Sequence, residues 1–170
     1  GNVDTRIRKL KDGEYDAIVL SYAGLIRLKK DHLISDLFPV DDFLPASCQG
    51  AVGIQVANDN VNSELRNSLN KMNDCDTEIT CCAEREVLRF INANCNSPVS
   101  VYANLKNEMI AIQCDLFDHN GTKIFSEKTT GDKNKSIKLA QDLGENILKT
   151  IGQKKIDQLD VLEDDFNYSP

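Results

Sequence analysis

With 170 residues, a hydrophobic fraction of 41% and a charged fraction of 28%, the chain has the composition expected of a soluble globular protein, one ordinary domain or two small ones, and not of a fibrous or disordered one. A formal net charge of −7 argues against nucleic acid or an anionic membrane surface as partner, because both demand a basic face. No run approaches the roughly 18 apolar residues of a membrane span, and no basic-then-apolar signal segment opens the sequence, so a cytoplasmic protein with no membrane partner is expected.

The chain starts on GNVDTR, which reads as the interior of a folded unit, and the expectation is that the polypeptide is part of a longer one. Val3, Ile7 and Leu10 share a face of a short helix that Asp12-Gly13 ends. DAIVLSYAGLIRL predicts a buried strand over 17–21, bending at Ala23-Gly24 into a helical turn, and after the loop DLFPVDDFLP the run GAVGIQV predicts a second apolar strand. Helix, strand, helix is α/β order. Two strands are too few to bury the faces of a sheet, so residues 1–57 are expected to be an incomplete part of a doubly wound α/β domain.

From Asn58 the pattern changes. SELRNSLNKM is a short amphipathic helix, and DTEITCCAEREVLRFIN is a longer one, with Ile79, Ala83, Val87, Phe90 and Ile91 at helical spacing and Asp76 or Thr77 as its N-cap. VSVYANL, MIAIQCDLFD and TKIFSEKTT alternate with period two, joined by Lys106-Asn107-Glu108 and by His119-Asn120-Gly121 with its Asn-Gly hairpin signal. SIKLAQDLGENILKTI places Ile137, Ala140, Leu143, Ile147 and Ile151 on one side, able to cover the sheet's apolar face. Residues 58–152 therefore predict a small α+β domain, a three-stranded antiparallel sheet covered by helices, followed by an acidic tail over 153–170.

Six cysteines, Cys48, Cys75, Cys81, Cys82, Cys95 and Cys114, do not suit a disulfide framework in a cytoplasmic chain of this length. Zinc is disfavoured as well, since no C-x-x-C pair exists to supply closely spaced ligands. Cys114 alternates with apolar residues on a strand, and Cys82 fits the apolar stripe of its helix. Cys95 differs from both. It lies in FINANCNSPVSVY between a helix and a strand, flanked by Asn94 and Asn96, where a thiol that merely packs would not be expected.

GNVDTRIRKL, YDAIVLSYAGLIRL, FLPASCQGAVGIQ and AEREVLRFINANCNSPVSVYA, in this order, resemble the C-terminal half of the porphobilinogen deaminase (hydroxymethylbilane synthase) family. The resemblance covers residues 1 to about 105 by motif, with the later hairpins and helix fitting the family's third domain. It implies that Cys95 carries a dipyrromethane cofactor through a thioether, and that porphobilinogen units are joined head to tail onto it with loss of ammonia. Soft thiolate sulfur suits the electrophilic carbon of deaminated porphobilinogen, and a thioether resists hydrolysis. The residue follows a helix C-terminus, where the dipole disfavours thiolate, which fits a group alkylated once and retained.

The resemblance further implies that Arg6 and Arg27 hold the acetates and propionates of the linear pyrrole chain, with Ser21, Gly24 and Gln49 in segments lining the cleft. No catalytic residue of the family falls in this chain: its aspartate and most of its basic cleft belong to an N-terminal domain that would have to be supplied, the intact enzyme being monomeric. These 170 residues alone are expected to be inactive. Departures from the family pattern are Ala93-Asn94 where glycines usually precede the cysteine, Cys48 where Gly is usual, and Gln55 where Glu is common; Asn94 is expected to take up the left-handed conformation of the missing glycine. Outside the resemblance, a small-ligand-binding α/β module and a thiol or zinc protein without deaminase activity remain open as alternatives.

Overall fold

Polar side chains that cap a free backbone N–H set the starts of the first four α-helices. Helix α1 (Val3–Lys11) begins at Asn2, whose side chain accepts from Thr5 N at 2.9 Å, and it closes at Asp12 with Gly13 at φ +78°. Helix α2 (Tyr22–Arg27) begins at Ser21 in the same way, with Gly24 N donating to Ser21 Oγ. The computed structural model describes residues 2–57, 62–94 and 96–159. They fall into two units, 1–43 and 44–170.

In the first unit Ile7 of α1 and Leu25 of α2 are buried, and Lys30, just past α2, pairs with Asp4 in the first turn of α1. The strand expected over 17–21 does not form, and Val19 is 61% exposed. GAVGIQV, in the second unit, is likewise no strand, with Val52 70% and Ile54 57% exposed. The reason is shared. A strand is stabilised by the ladder it joins, and no backbone hydrogen bond links 17–20 or 52–57 to another described residue.

The second unit holds α3 (Ser63–Met72), α4 (Cys75–Phe90), the antiparallel strands β1 (Val99–Lys106), β2 (Met109–Phe117) and β3 (Lys123–Asp132) in the order β1-β2-β3, then α5 (Ser136–Ile151) and α6 (Gln153–Asp157). Asn107, at φ +58°, makes the tight β1–β2 turn, while Asp118 Oδ1 accepts from Asn120 N and Thr122 N to shape the β2–β3 turn around Gly121 at φ +78°. Strand alternation sends Val101, Ala103, Ile110, Ile112, Cys114, Leu116 and Phe125 to one face, where Ala83, Val87 and Ile91 from α4 and Ala140, Leu143 and Ile147 from α5 cover them. Gly144 lets the helices approach closely, since a Cβ there would lie 2.9 Å from Phe90 Cβ.

Several sequence expectations are corrected here. Asp74 caps α4, its side chain accepting from Thr77 N, because the aspartate three residues before a free amide is the one able to reach it. Cys82 is exposed and Ile137 is 42% exposed; each sits beside the buried stripe of its helix, one step round from Ala83 or three before Ala140. The boundary expected at residue 57 falls inside the second unit, to which Leu44, 6% exposed, already belongs. The tail expected from 153 begins instead with α6, whose Ile156 joins the core with Leu159, while Gln153 Nε2 donates to Ile91 O at 3.0 Å. The acidic residues after 159 lie outside the described residues.

Two glutamates of α4 titrate in opposite senses. Glu86 takes a bidentate contact from Arg89 (2.6 and 2.7 Å) and a bond from Gln141 Nε2 on α5 (2.8 Å), which lower its pKa from 4.5 to about 2. Its contribution to stability is present above the ordinary value and is lost as pH falls toward 2. Urea midpoints should therefore drop more between pH 4.5 and 2 for the unsubstituted chain than for Glu86→Gln. High salt should shrink that difference, because Arg89 is solvent-exposed.

Candidate functional site

Arg6, Ser21, Gly24 and Arg27 all belong to the first unit. Arg6 lies on α1 two residues after Asp4, and Arg27 ends α2 three residues before Lys30; the Lys30–Asp4 pair thus joins the two elements that carry these arginines. Both arginines are exposed and both engage other groups of the protein. Ser21 is half-buried and already caps α2, so the serine has a structural role independent of any ligand. Gly24 has a negative φ, and a Cβ on it would meet only Ser21 at 3.7 Å, an ordinary contact.

Glycine is therefore not needed there by the fold. We expect Gly24→Ala to leave the thermal midpoint unchanged or raised, since alanine is favoured over glycine in a helix by about 1 kcal/mol. A loss of pyrrole binding in a folded Gly24→Ala protein would show that a ligand approaches the backbone at this point. Unimpaired binding would remove Gly24 from the site.

Gln49 belongs to the second unit, exposed, beside a residue whose backbone is unusual. Cys48 is left-handed at φ +58°, a conformation glycine adopts without cost and other residues adopt rarely. The ASCQG segment is pinned to the helix–sheet core by Glu84 of α4, 5% exposed, whose two carboxylate oxygens accept from Cys48 N and from Ala103 N on β1, the latter at 2.8 Å. Ser47 Oγ adds a bond to Val101 O at 3.3 Å. Burial raises the Glu84 pKa against the opposing pull of those two amides.

Sequence reading missed Glu84. The signal was present, because positions 84, 87 and 91 share a helix face and a carboxylate on a buried stripe requires donors.

Cys95 lies outside the described residues. Ala93 N bonds to Leu88 O at 2.9 Å to close α4, Asn94 N donates to Ser97 Oγ at 2.9 Å, Asn96 N donates to Asn94 Oδ1 at 2.7 Å, and Pro98 O accepts from Phe117 N at 2.9 Å. Among the described residues of this turn the left-handed one is Asn92, at φ +56°, and not Asn94, because the αL position falls at the helix C-terminus and Asn94 is engaged as an Asx acceptor. Elsewhere, burial pushes the Cys114 thiol up to about 12, and burial followed by its interaction with Cys81, whose backbone O accepts from Cys48 Sγ at 3.7 Å, does the same for Cys48. Neither thiol is a nucleophile at neutral pH.

Comparison with known families places this architecture. The family model described as "Porphobilinogen deaminase, dipyromethane cofactor binding domain" matches residues 1–64, and "Porphobilinogen deaminase, C-terminal domain" matches residues 78–149. The chain belongs to the porphobilinogen deaminase family. Among its relatives, the porphobilinogen deaminase of Helicobacter acinonychis (strain Sheeba) is 36% identical over 151 residues, covering 88% of this chain and 48% of the relative. That of Clostridium botulinum (strain Kyoto / Type A2) is 38% identical over 149 residues, covering 88% and 50%. The chain spans about half the length of the curated relatives it matches.

The donor set suits the cofactor named by the first family model. A dipyrromethane presents carboxylates, and the first unit carries three exposed guanidinium groups, Arg6, Arg8 and Arg27, the side chains best matched to bidentate carboxylate binding. Among the described residues no helix is long and apolar enough to cross a membrane.

Proposed function

We propose that this chain forms the C-terminal half of a hydroxymethylbilane synthase, a cytoplasmic and monomeric transferase that joins four porphobilinogen units with release of ammonia. The observation that carries the reading is the matching of both family models in the family's order along one chain. In this reading the first unit is part of a doubly wound α/β domain, and the three strands with α4, α5 and α6 form the domain that carries the cofactor.

Cys95 holds the dipyrromethane by a thioether, so that the growing product remains attached between additions. When bound, the dipyrromethane supplies the primer on which substrate units are joined. Arg6 and Arg27 bind acetate and propionate groups, and their fixed positive charge orients each incoming pyrrole without itself exchanging protons. The Gln49 amide can donate to a carboxylate or accept from a pyrrole N–H. Ser21, already capping α2, fixes the backbone at Gly24 through the bond from Gly24 N to its Oγ. The acid–base group acting on the substrate belongs to the other half of the enzyme, in keeping with an acidic chain that holds only part of a polyanion site.

The test is turnover of porphobilinogen to hydroxymethylbilane by the full-length protein. Arg6→Leu in that protein should raise KM about tenfold or more and release short pyrrole intermediates, since a charge-assisted bidentate contact is lost. Absence of turnover in a folded, cofactor-loaded full-length protein would refute the assignment. Unaltered kinetics in Arg6→Leu would remove that arginine from the site.

A further inference from the structure

Cys48 and Cys81 are 33 residues apart in the chain and in contact in the fold, the Cys48 thiol donating to Cys81 O at 3.7 Å. Both side chains are half-buried and so partly open to solvent, and both belong to the second unit. After burial, Cys81 is the strongest influence on the Cys48 thiol. Glu84, one turn further along α4, completes the cluster: its carboxylate accepts from Cys48 N and interacts with the Cys48 thiol as well. Together with the bond from Ser47 Oγ to Val101 O, this holds the ASCQG segment so that the Cys48 sulfur stays beside α4. The position is also a strained one for a cysteine. At φ +58° any residue with a Cβ is disfavoured, and a half-exposed sulfur contributes little packing in return.

We propose that Cys48 and Cys81 are an oxidation site, at which a hydroperoxide joins the two sulfurs in a reversible disulfide that ties the ASCQG segment, with Gln49, to α4. Cys81 is the attacking residue, because the Cys48 thiol, pushed up to about 12, is protonated at neutral pH. Its thiolate attacks one oxygen of hydrogen peroxide: an S–O bond forms, the O–O bond breaks, and hydroxide leaves and takes up a proton as water. The Cys48 sulfur then attacks the Cys81 sulfur. The S–S bond forms, the S–O bond breaks, and the departing hydroxide leaves as a second water with the Cys48 proton, which the adjacent Glu84 carboxylate carries. The two thiols lose two electrons and two protons, and the peroxide is reduced to two waters. A bond made and undone in this way is distinct from the disulfide framework that the sequence argues against.

The full-length protein, reduced and then freed of reductant, is treated with hydrogen peroxide, alkylated and digested with trypsin, which places Cys48 on peptide 31–66 and Cys81 on peptide 72–85. Fragment-ion sequencing should show the 48–81 link at least about tenfold above any link from Cys48 to Cys75 or Cys82, since the contacting pair alone has a high effective concentration. Dithiothreitol should reverse it. Cys48→Gly, which suits the left-handed backbone, and Cys81→Ser should each abolish the link, while Cys82→Ser leaves it unchanged. Oxidation should raise the urea midpoint, because the bond closes a long loop between residues already in contact. Absence of the link in the folded protein, a link formed as readily in concentrated urea as in buffer, or its loss in Cys82→Ser would overturn the proposal. So would a lowered urea midpoint on oxidation, which would mean that the bond distorts the fold instead of closing an existing contact.

Discussion

Cys95→Ser in the full-length protein is expected to lower stable dipyrromethane loading by at least about tenfold, with porphobilinogen consumption falling in step, while the thermal midpoint stays within a degree or two of the unsubstituted enzyme. The chemical reason is the difference between sulfur and oxygen. A thiolate attacks the electrophilic carbon of a deaminated pyrrole and gives a bond that resists hydrolysis, whereas a serine hydroxyl is a far weaker nucleophile and leaves more readily. The fold should tolerate the change because the turn is held by its flanks, through Ala93 N to Leu88 O, Asn94 N to Ser97 Oγ and Pro98 O to Phe117 N. Intact mass and peptide mapping read the outcome. A polypeptide of these 170 residues alone should show a free thiol at 95 and no consumption of porphobilinogen. Cys48 and Cys114 should stay unmodified in either form, their thiols being pushed up to about 12. A stably loaded Cys95→Ser enzyme, or an adduct mapped to another cysteine, would sink the assignment.

Glu84→Ala should destabilise the second unit by about 2–4 kcal/mol, read from urea unfolding, because it strands two amides, Cys48 N and Ala103 N, that have no other acceptor in place. Glu84→Gln should cost less, about 1–3 kcal/mol: the amide keeps one acceptor oxygen but turns an NH2 group toward the second N–H. The pH dependence carries a distinct signature. Since burial raises the folded pKa of Glu84, its contribution is full below the ordinary value of 4.5 and declines as pH rises through the raised one. The stability advantage over Glu84→Gln should therefore shrink with rising pH, opposite to the behaviour of Glu86. Equal stability of Glu84→Ala and the unsubstituted chain, with unchanged proteolysis near Gln49, would show that Glu84 does not anchor the ASCQG segment. Retained stability with faster proteolysis near Gln49 would show that it anchors the segment without supporting the core.

Where local pattern and burial coincide, the sequence was enough. The period-two runs of β1 to β3 and the 3.6-residue stripe of α5 each bury one face within the same unit, so Val101, Ile112, Cys114, Leu143 and Ile147 lie where their spacing places them. Family motifs likewise made Cys95, Arg6 and Arg27 legible as candidates, because those residue types match a thioether-linked cofactor and its carboxylates. Contacts distant in sequence were not legible. Glu84 reaches back 36 residues to Cys48 and forward 19 to Ala103, and α6 returns to the core at Ile91, pairings that no local period encodes. Ala17–Leu20 and Val52–Val56 show the converse. Their β-branched and aliphatic runs have strand propensity, but a strand is a property of two neighbours, and without a paired ladder among the described residues propensity alone leaves them extended and exposed.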